Sequence, residues 1–415
     1  MSKPCLESLS VENADLGGIV RIVDTYPDHL VALGYRRRTI VSYVQAARHF
    51  AKWTGLVGVP LNAINATTID RFRKHRCQCH WASDRPKSHF AKNYIGAVRN
   101  FVDFLTKLGL VPTAVKETKP VDPLIAEFLD WLRRHRGVSE QTAELRRRML
   151  AKLLPALGGA PESYAAGRIR QVILDQALQR SRGSLKNMAG ALRGYLRFLV
   201  AGGRCSPGLD HAVPTFPEWQ LSTLPRYLPA PEVERLISSC DVTNACGIRD
   251  RAVLLFLARL GLRAGDTVAL RLDDIAWNEG TIRLAGKSRR QTRLPLPQDV
   301  GDALHEYISR ARPPVNSDRV FLRVRAPHQP LGGPSSISHI VDAALKRAGI
   351  TTAPSRGAHV LRHSAATSML RAGGTFDSIS FMLRHRSANT TAQYAKVDIN
   401  MLRQLSRPWP GELPC

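Results

Sequence analysis

The chain has 415 residues, and at roughly 150 residues per domain this length predicts two to three domains. Its 44% hydrophobic and 23% charged residues are typical of a folded protein and exclude a disordered, collagen-like or coiled-coil chain. Lys and Arg total 60, of which 47 are Arg, against 34 Asp and Glu, so the net charge is +26. Residues 1–225 hold 33 basic and 18 acidic side chains, and residues 226–415 hold 27 and 16. Both parts are therefore expected to face a polyanion, and Arg favours bidentate contact with phosphate.

Cysteine usage and hydropathy bear on the compartment. The seven cysteines are odd in number and irregularly spaced, which does not fit a disulfide framework and favours a reducing compartment. The beginning of the chain does not resemble a signal peptide. The longest apolar run, residues 252–262, is interrupted by Arg259 and is too short to span a bilayer. We therefore expect a cytoplasmic, nucleoid-associated protein without a membrane partner.

The segment His75-Arg-Cys77-Gln-Cys79-His80 is the one group that suggests a metal site. Its Cys-x-Cys spacing is not the usual spacing of a zinc knuckle, and no second ligand pair lies nearby in the sequence. We therefore predict no metal site, with a structural zinc at Cys77 and Cys79 as the alternative.

The first 225 residues have helical patterning and a faint internal repeat. Residues 34–55 carry apolar side chains at the 3.6-residue spacing of a core-facing helix, including Ile40, Val44 and Phe50. Residues 137–158 align with this segment at an offset of 103, and residues 99–105 align with 193–199 at an offset of 94. This pattern predicts two helical bundles in tandem, although any two amphipathic helices can align to this degree.

Proline-rich segments mark the domain boundaries. Residues 111–123 contain three prolines and no helical stripe, and residues 206–231 contain six prolines, which exclude a continuous helix or a central strand. We predict helical DNA-binding bundles at residues 1–120 and 121–225, the second including the proline-rich linker. Residues 226–415 are predicted to form a third domain with a C-terminal tail.

The last domain has a mixed pattern. Residues 249–260 form an apolar helix that ends at Gly261, and residues 280–284 and 291–296 form a β-hairpin with a basic turn. Further helices are predicted at residues 335–348, 360–372, 375–382 and 400–405. The predicted fold is mainly α with a small β-sheet, in which the N-terminal bundles precede a helix-rich domain.

Four segments of this domain carry residues suited to phosphate chemistry. Arg263 follows the end of a helix, and Lys287 lies in the hairpin turn. His359 and Arg362 are three residues apart at a helix start, which places them on one face. A further segment carries His385 and, nine residues later, Tyr394. Each segment alone is common, so the indication comes from their combination.

Residues 231–405 closely resemble the tyrosine recombinases, the phage integrase family of site-specific DNA recombinases. The resemblance carries over to the flanking residues, such as Leu-Arg-His-Ser-Ala-Ala-Thr at 361–367. One departure is visible, because the family usually has Leu-Gly-His where this chain has Leu383-Arg384-His385. The large cation at this position is expected to change the local turn or the contact with DNA.

The resemblance implies a role for each residue of the set. Arg263 and Arg362 would hold the phosphate oxygens, and His385 would donate a hydrogen bond to the phosphate. Tyr394 would be the nucleophile, with His359 as its proton acceptor and Lys287 as the general acid. The product would be a 3′-phosphotyrosyl bond and a free 5′ hydroxyl. Because that bond retains the energy of the phosphodiester, no metal, nucleotide or other cofactor is expected.

The family also implies a setting for this chemistry. We expect the partner to be double-stranded DNA, bridged by a homo-tetramer, with related recombinases as further candidates and a mobile element as the context. A type IB topoisomerase and a non-catalytic DNA-binding accessory protein are the alternatives. The six residues together argue against the accessory protein.

Overall fold

The computed structural model describes residues 17–75, 92–112, 122–217, 225–285, 291–385 and 388–397. These residues form sixteen α-helices, short 3-10 and π-helical turns and one three-stranded sheet, which confirms the predicted mainly helical fold. The described residues between 115 and 222 form one compact unit, and those before 115 and after 222 form the other. The division into three domains stays a prediction.

The described part of the first bundle contains four helices: α1 (Gly17–Ala32), α2 (Arg37–Leu56), α3 (Ala66–Lys74) and α4 (Lys92–Lys107). The apolar stripe of α2 faces the core, where Val44 and Phe50 are buried against the other helices. Asn65 and Thr68 form a capping box at the start of α3, which satisfies backbone N–H groups that lack a partner within the helix.

Residues 122–217, the described part of the second bundle, also contain four helices: α5 (Pro123–Arg136), α6 (Glu140–Leu157), α7 (Ala166–Ala177) and α8 (Arg182–Ala201). The side chains of Asp122, Ser139 and Ser181 cap α5, α6 and α8, respectively. Phe128 and Tyr195 lie in the hydrophobic core of this bundle.

The two bundles repeat the same order of elements. In each, two helices precede a short 3-10 turn, at Leu61–Ala63 or Pro161–Ser163, and two helices follow it. Helices α2 and α6 begin 103 residues apart, and α4 and α8 end 94 residues apart, which are the two offsets found in the sequence. The shared order supports a tandem repeat.

The described residues after 225 contain eight helices: α9 (Ala230–Ser238), α10 (Ala245–Arg259), α11 (Ala264–Ala269), α12 (Gln298–Glu306), α13 (Pro334–Arg347), α14 (His359–Arg371), α15 (Phe376–Leu383) and α16 (Ala388–Ala392). The sheet has the order β1 (Ile275–Ala276), β2 (Thr281–Ala285) and β3 (Gln291–Pro295), and both pairs are antiparallel. The register pairs Ile282 with Leu294, so the predicted hairpin is present.

Helix α10 forms the centre of this region, with a buried run from Ala252 to Ala258. It begins four residues before the predicted start, because the side chain of Asn244 accepts a hydrogen bond from the Gly247 N–H at 2.9 Å and caps the helix. Strand β1 and helices α11 and α12 were not predicted, and the predicted helix at 400–405 lies outside the described residues. In the described ranges, no helix is long and apolar enough to cross a membrane.

Candidate active site

Arg362 joins three elements at the centre of the site. It lies in the first turn of α14 and is only 5% exposed. Its guanidinium donates hydrogen bonds to the backbone carbonyls of Gly261, after α10, and Leu383, at the end of α15. Burial and the neighbouring charge of Arg263 lower the pKa of Arg362 to about 10, so the side chain stays charged at neutral pH.

Arg263, at the start of α11, also contacts the end of α15. Its Nη2 donates to the carbonyl oxygen of Arg384 at 2.9 Å, next to the Leu383 carbonyl that Arg362 contacts. Its Nη1 lies 4.0 Å from the carboxylate of Asp266. The structure therefore brings both predicted arginines to the end of α15, each with N–H groups left for a further acceptor.

Tyr394 lies in the 3-10 segment Gln393–Val397 and is 1% exposed. Its ring packs with Ala366, Leu370, Ile379 and Leu383 in a small hydrophobic cluster. Burial raises the pKa of the phenol, and the charge of Arg362 opposes this shift. In this state Tyr394 is protonated at neutral pH and needs a proton acceptor to become a nucleophile.

His363 is placed to be that proton acceptor. Its Nδ1 lies 2.9 Å from the Tyr394 hydroxyl. Burial, with His359 and Arg362 nearby, lowers the pKa of His363 to about 4, so the imidazole is neutral at pH 7 and can accept the phenolic proton. The family resemblance gives this role to His359, and His363 belongs there only to the flanking sequence.

The position of His363 follows from helix geometry. His359, Arg362 and His363 stand at positions i, i+3 and i+4 of α14, so all three share one face. The i+4 spacing was the available signal. His359 is exposed at the first position of the helix, with its ring centroid 6.4 Å from that of His363. Partial desolvation and the charges of Arg362 and Arg263 lower the pKa of His359.

His385 also lies next to the tyrosine. Its ring is nearly parallel to that of Tyr394, at 8° and 6.3 Å between centroids. Its Nδ1 lies 2.8 Å from the hydroxyl oxygen of Thr391. Burial and the charges of Arg362 and Arg263 lower the pKa of His385 to about 4. Five of the six predicted residues therefore lie in one region, and the sixth, Lys287, lies outside the described residues.

Arg384 occupies the position at which the sequence departs from the family pattern. It follows the end of α15 with φ 53° and ψ 51°, a left-handed conformation that favours glycine. Its Nη2 donates to the carboxylate of Asp266, and its side chain is 9% exposed. The arginine therefore keeps the turn of a glycine and directs its side chain into the site.

Two comparisons of sequence give consistent results. Residues 226–401 match the profile of the phage integrase family. The chain is 36% identical to y4rA of Sinorhizobium fredii, which carries the name integrase/recombinase, over 95% of this chain and 96% of that protein. It is 28% identical to the tyrosine recombinase XerD of Listeria monocytogenes, over 67% of this chain and 95% of XerD.

Solved structures share the fold. A lambda integrase dimer bound to a COC′ core site aligns with a TM-score of 0.55 and 17% identity, covering 71% of this chain and 99% of that chain. XerH in a post-cleavage complex with palindromic difH substrate aligns with a TM-score of 0.52 and 18% identity, covering 83% and 98%.

The fold and the cluster of arginine, histidine and tyrosine side chains define an enzyme that cleaves and rejoins DNA. The chain belongs to the phage integrase family, the tyrosine-type site-specific DNA recombinases.

Proposed function

We propose that this recombinase cuts double-stranded DNA by forming a 3′-phosphotyrosine bond at Tyr394, and that it serves the integration, excision or transposition of a mobile element. The observation that carries the proposal is the 2.9 Å hydrogen bond between the Tyr394 hydroxyl and His363 Nδ1, beside two arginines whose guanidinium groups meet at the end of α15.

In the proposed step, the Tyr394 oxygen attacks the scissile phosphorus and the bond from phosphorus to the 5′ oxygen breaks. The phenolic proton passes to a neutral imidazole, for which His363 has the contact in this structure and His359 is the second candidate. The departing 5′ oxygen takes a proton from a general acid, the role that the family resemblance gives to Lys287. Religation reverses these transfers, so no external energy source is consumed.

The arginines fit the charge that develops during this step. Negative charge grows on the two non-bridging oxygens, and guanidinium groups stabilise it more strongly in the transition state than in the ground state. In the structure, Arg263 and Arg362 donate to the carbonyls of Gly261, Leu383 and Arg384. These contacts fix the two side chains before DNA arrives, which lowers the cost of orienting them.

The assembly on DNA is part of the proposal. A solved structure with the same fold shows a lambda integrase tetramer bound to a Holliday junction, at a TM-score of 0.54 and 15% identity. We infer a homo-tetramer that bridges two duplexes, with His385 supporting the phosphate. The net charge of +26 supports contact with DNA along much of the chain.

A nicked suicide substrate tests the proposal. Duplexes made from the DNA that flanks the gene carry a nick near the cleavage position, so the released fragment diffuses away and the covalent adduct accumulates. We expect the full chain to form this adduct in excess EDTA without nucleotide, because side chains supply every charge-stabilising role. Joining of two duplexes distinguishes a recombinase from a topoisomerase, and an accessory protein forms no adduct.

Tyr394→Phe is the matched control, because it keeps the buried ring and removes only the hydroxyl. We expect this variant to bind DNA with unchanged affinity and to form no adduct. An adduct from Tyr394→Phe contradicts the choice of nucleophile. Abolition by EDTA and recovery with magnesium contradicts the metal-independent mechanism.

A further inference from the structure

Arg384 has a buried N–H group without a partner. Its Nη2 contacts Asp266, whereas its Nη1 is buried and forms no hydrogen bond to any described residue. An unsatisfied buried donor destabilises the folded chain, and so does the left-handed backbone of a non-glycine residue. Such costs concentrate at functional sites, where a ligand completes the contact.

The surroundings of Arg384 are those of the phosphate-binding site. Its own carbonyl accepts a hydrogen bond from Arg263, and the preceding carbonyl accepts one from Arg362. Asp266, its ion-pair partner, is also 4.0 Å from Arg263. Arg263 therefore links the other two guanidinium groups, because it shares the backbone stretch with Arg362 and the Asp266 carboxylate with Arg384.

The charges of these four groups suit a dianion. Three guanidinium cations and the Asp266 carboxylate leave a net charge of +2. The phosphodiester carries one negative charge, and attack by a phenolate brings a second, so the transition state carries about two negative charges. Without Arg384 the same groups would provide a net charge of +1.

We propose that Arg384 is a third guanidinium of the phosphate-binding site, whose Nη1 donates to a non-bridging oxygen of the scissile phosphate. This inference rests on the proposed function. Asp266 holds the side chain through Nη2 and leaves Nη1 for the phosphate. The phosphate accepts the hydrogen bond of the buried Nη1, and its negative charge offsets the repulsion among the three guanidinium groups.

A neutral substrate tests this contact. A nicked duplex is prepared with the ordinary scissile phosphodiester or with a methylphosphonate, in which a methyl group replaces one charged oxygen. The variant is Arg384→Gln, whose side-chain amide can still donate to Asp266 but carries no charge. The control is Arg310→Gln, which breaks an exposed ion pair with Glu306 in a segment that contributes no residue to the site.

With the phosphodiester, we expect Arg384→Gln to slow adduct formation by about tenfold or more, as for removal of one transition-state donor. With the methylphosphonate, the loss should fall below about threefold, because there is less charge to stabilise. Arg310→Gln should match the unmodified chain on both substrates. Both rates come from the same preparation, so a partly unfolded variant leaves their ratio unchanged.

Equal losses on the two substrates would show that Arg384 acts only on structure and would overturn the proposal. Loss below about threefold on the phosphodiester would overturn it as well. Absence of an adduct from the unmodified chain on the phosphodiester would instead refute the proposed function, so the two failures are distinguishable. A second variant, Arg384→Lys, keeps the charge but not the planar guanidinium. Its rate of adduct formation on the phosphodiester should lie between the rates of Arg384→Gln and of the unmodified chain.

Discussion

At the residue scale, the contact between Tyr394 and His363 couples a buried phenol to a neutral imidazole. Burial moves the two pKa values in opposite directions, up for the tyrosine and down to about 4 for the histidine. Both groups are therefore uncharged at pH 7, which makes their burial in one cluster inexpensive. The charge of Arg362 then favours the phenolate during the reaction.

Substitution of His363 tests its role as proton acceptor. His363→Asn keeps an acceptor oxygen close to the position of Nδ1, whereas His363→Leu removes it. We expect both variants to bind DNA normally and to form the Tyr394 adduct at least about tenfold more slowly, because general-base catalysis contributes at least that much. Adduct formation at the normal rate in His363→Leu would show that His359 or water accepts the proton.

The lowered pKa of His363 also predicts a dependence of stability on pH. In the unfolded chain the imidazole binds a proton below its ordinary pKa of 6.5, but in the folded chain it does so only near 4. The free energy of unfolding should therefore decrease as the pH falls from about 7 towards 4, because the unfolded state binds more protons there. Urea unfolding at pH 7 and pH 5.5 measures this decrease. The free energy of unfolding of His363→Asn should decrease less between these two pH values. An identical decrease would contradict the lowered pKa of His363.

At the element scale, Gly261 determines how α10, α14 and α15 meet. It has φ +59°, its carbonyl accepts a hydrogen bond from Arg362, and a Cβ added to it would lie 2.4 Å from Leu383 Cδ2. An added methyl group therefore requires the buried Leu383 side chain, at the end of α15, to shift. The hydrogen bonds that Arg362 and Arg263 donate to backbone carbonyls depend on the position of the end of α15.

Gly261→Ala and Gly280→Ala form a matched pair of variants. Gly280 has nearly the same backbone, φ +58°, but a Cβ there would meet nothing within 4 Å. Both variants should lose roughly 1 kcal/mol through the backbone, and Gly261→Ala should lose a further 1–3 kcal/mol through overpacking. Thermal unfolding measures the stability and the nicked substrate measures cleavage. We expect only Gly261→Ala to slow cleavage, and equal effects of the two variants would contradict this account.

The sequence predicted long elements well and short ones poorly. Apolar periodicity identified the helices that became α2, α10 and α14, because each buries a regular stripe or a continuous run. Helix α11 has six residues and β1 has two, lengths at which periodicity carries little information. The start of α10 depends on one side-chain contact of Asn244, which spacing alone does not reveal.

The same limit applies to the site. Motif order predicted that Arg263, His359, Arg362, His385 and Tyr394 come together, and the structure brings them together. Motif order did not identify the contact of His363 with Tyr394, because this contact depends on how α14 packs against the segment after α16. The pairing of Arg384 with Asp266 joins residues 118 positions apart, and no local pattern predicts such a contact.

At the scale of the whole molecule, the hydrophobic cores are separate. The core of the first bundle contains residues between Ile19 and Val111. The largest core of the region after 225 contains residues between Leu228 and Leu361. In the part of the chain that the structure describes, the two regions belong to one compact unit, and a backbone hydrogen bond from the His328 N–H to the Leu33 carbonyl at 3.1 Å links them without joining their cores. Removal of residues 1–120 therefore cuts through neither core.

Residues 1–120 are expected to extend the contact with DNA, because they hold 18 Lys and Arg against nine Asp and Glu. A chain of residues 121–415 should stay folded and form the Tyr394 adduct on a nicked core site, since it keeps every described residue of the site. Its footprint should be shorter, and its affinity should depend less steeply on salt, because the slope of log affinity against log salt follows the number of phosphates neutralised. Footprinting and salt titration of both chains measure these effects. An aggregated truncation would show that residues 1–225 fold as one cooperative unit, and an unchanged footprint and slope would show that the first bundle does not bind DNA.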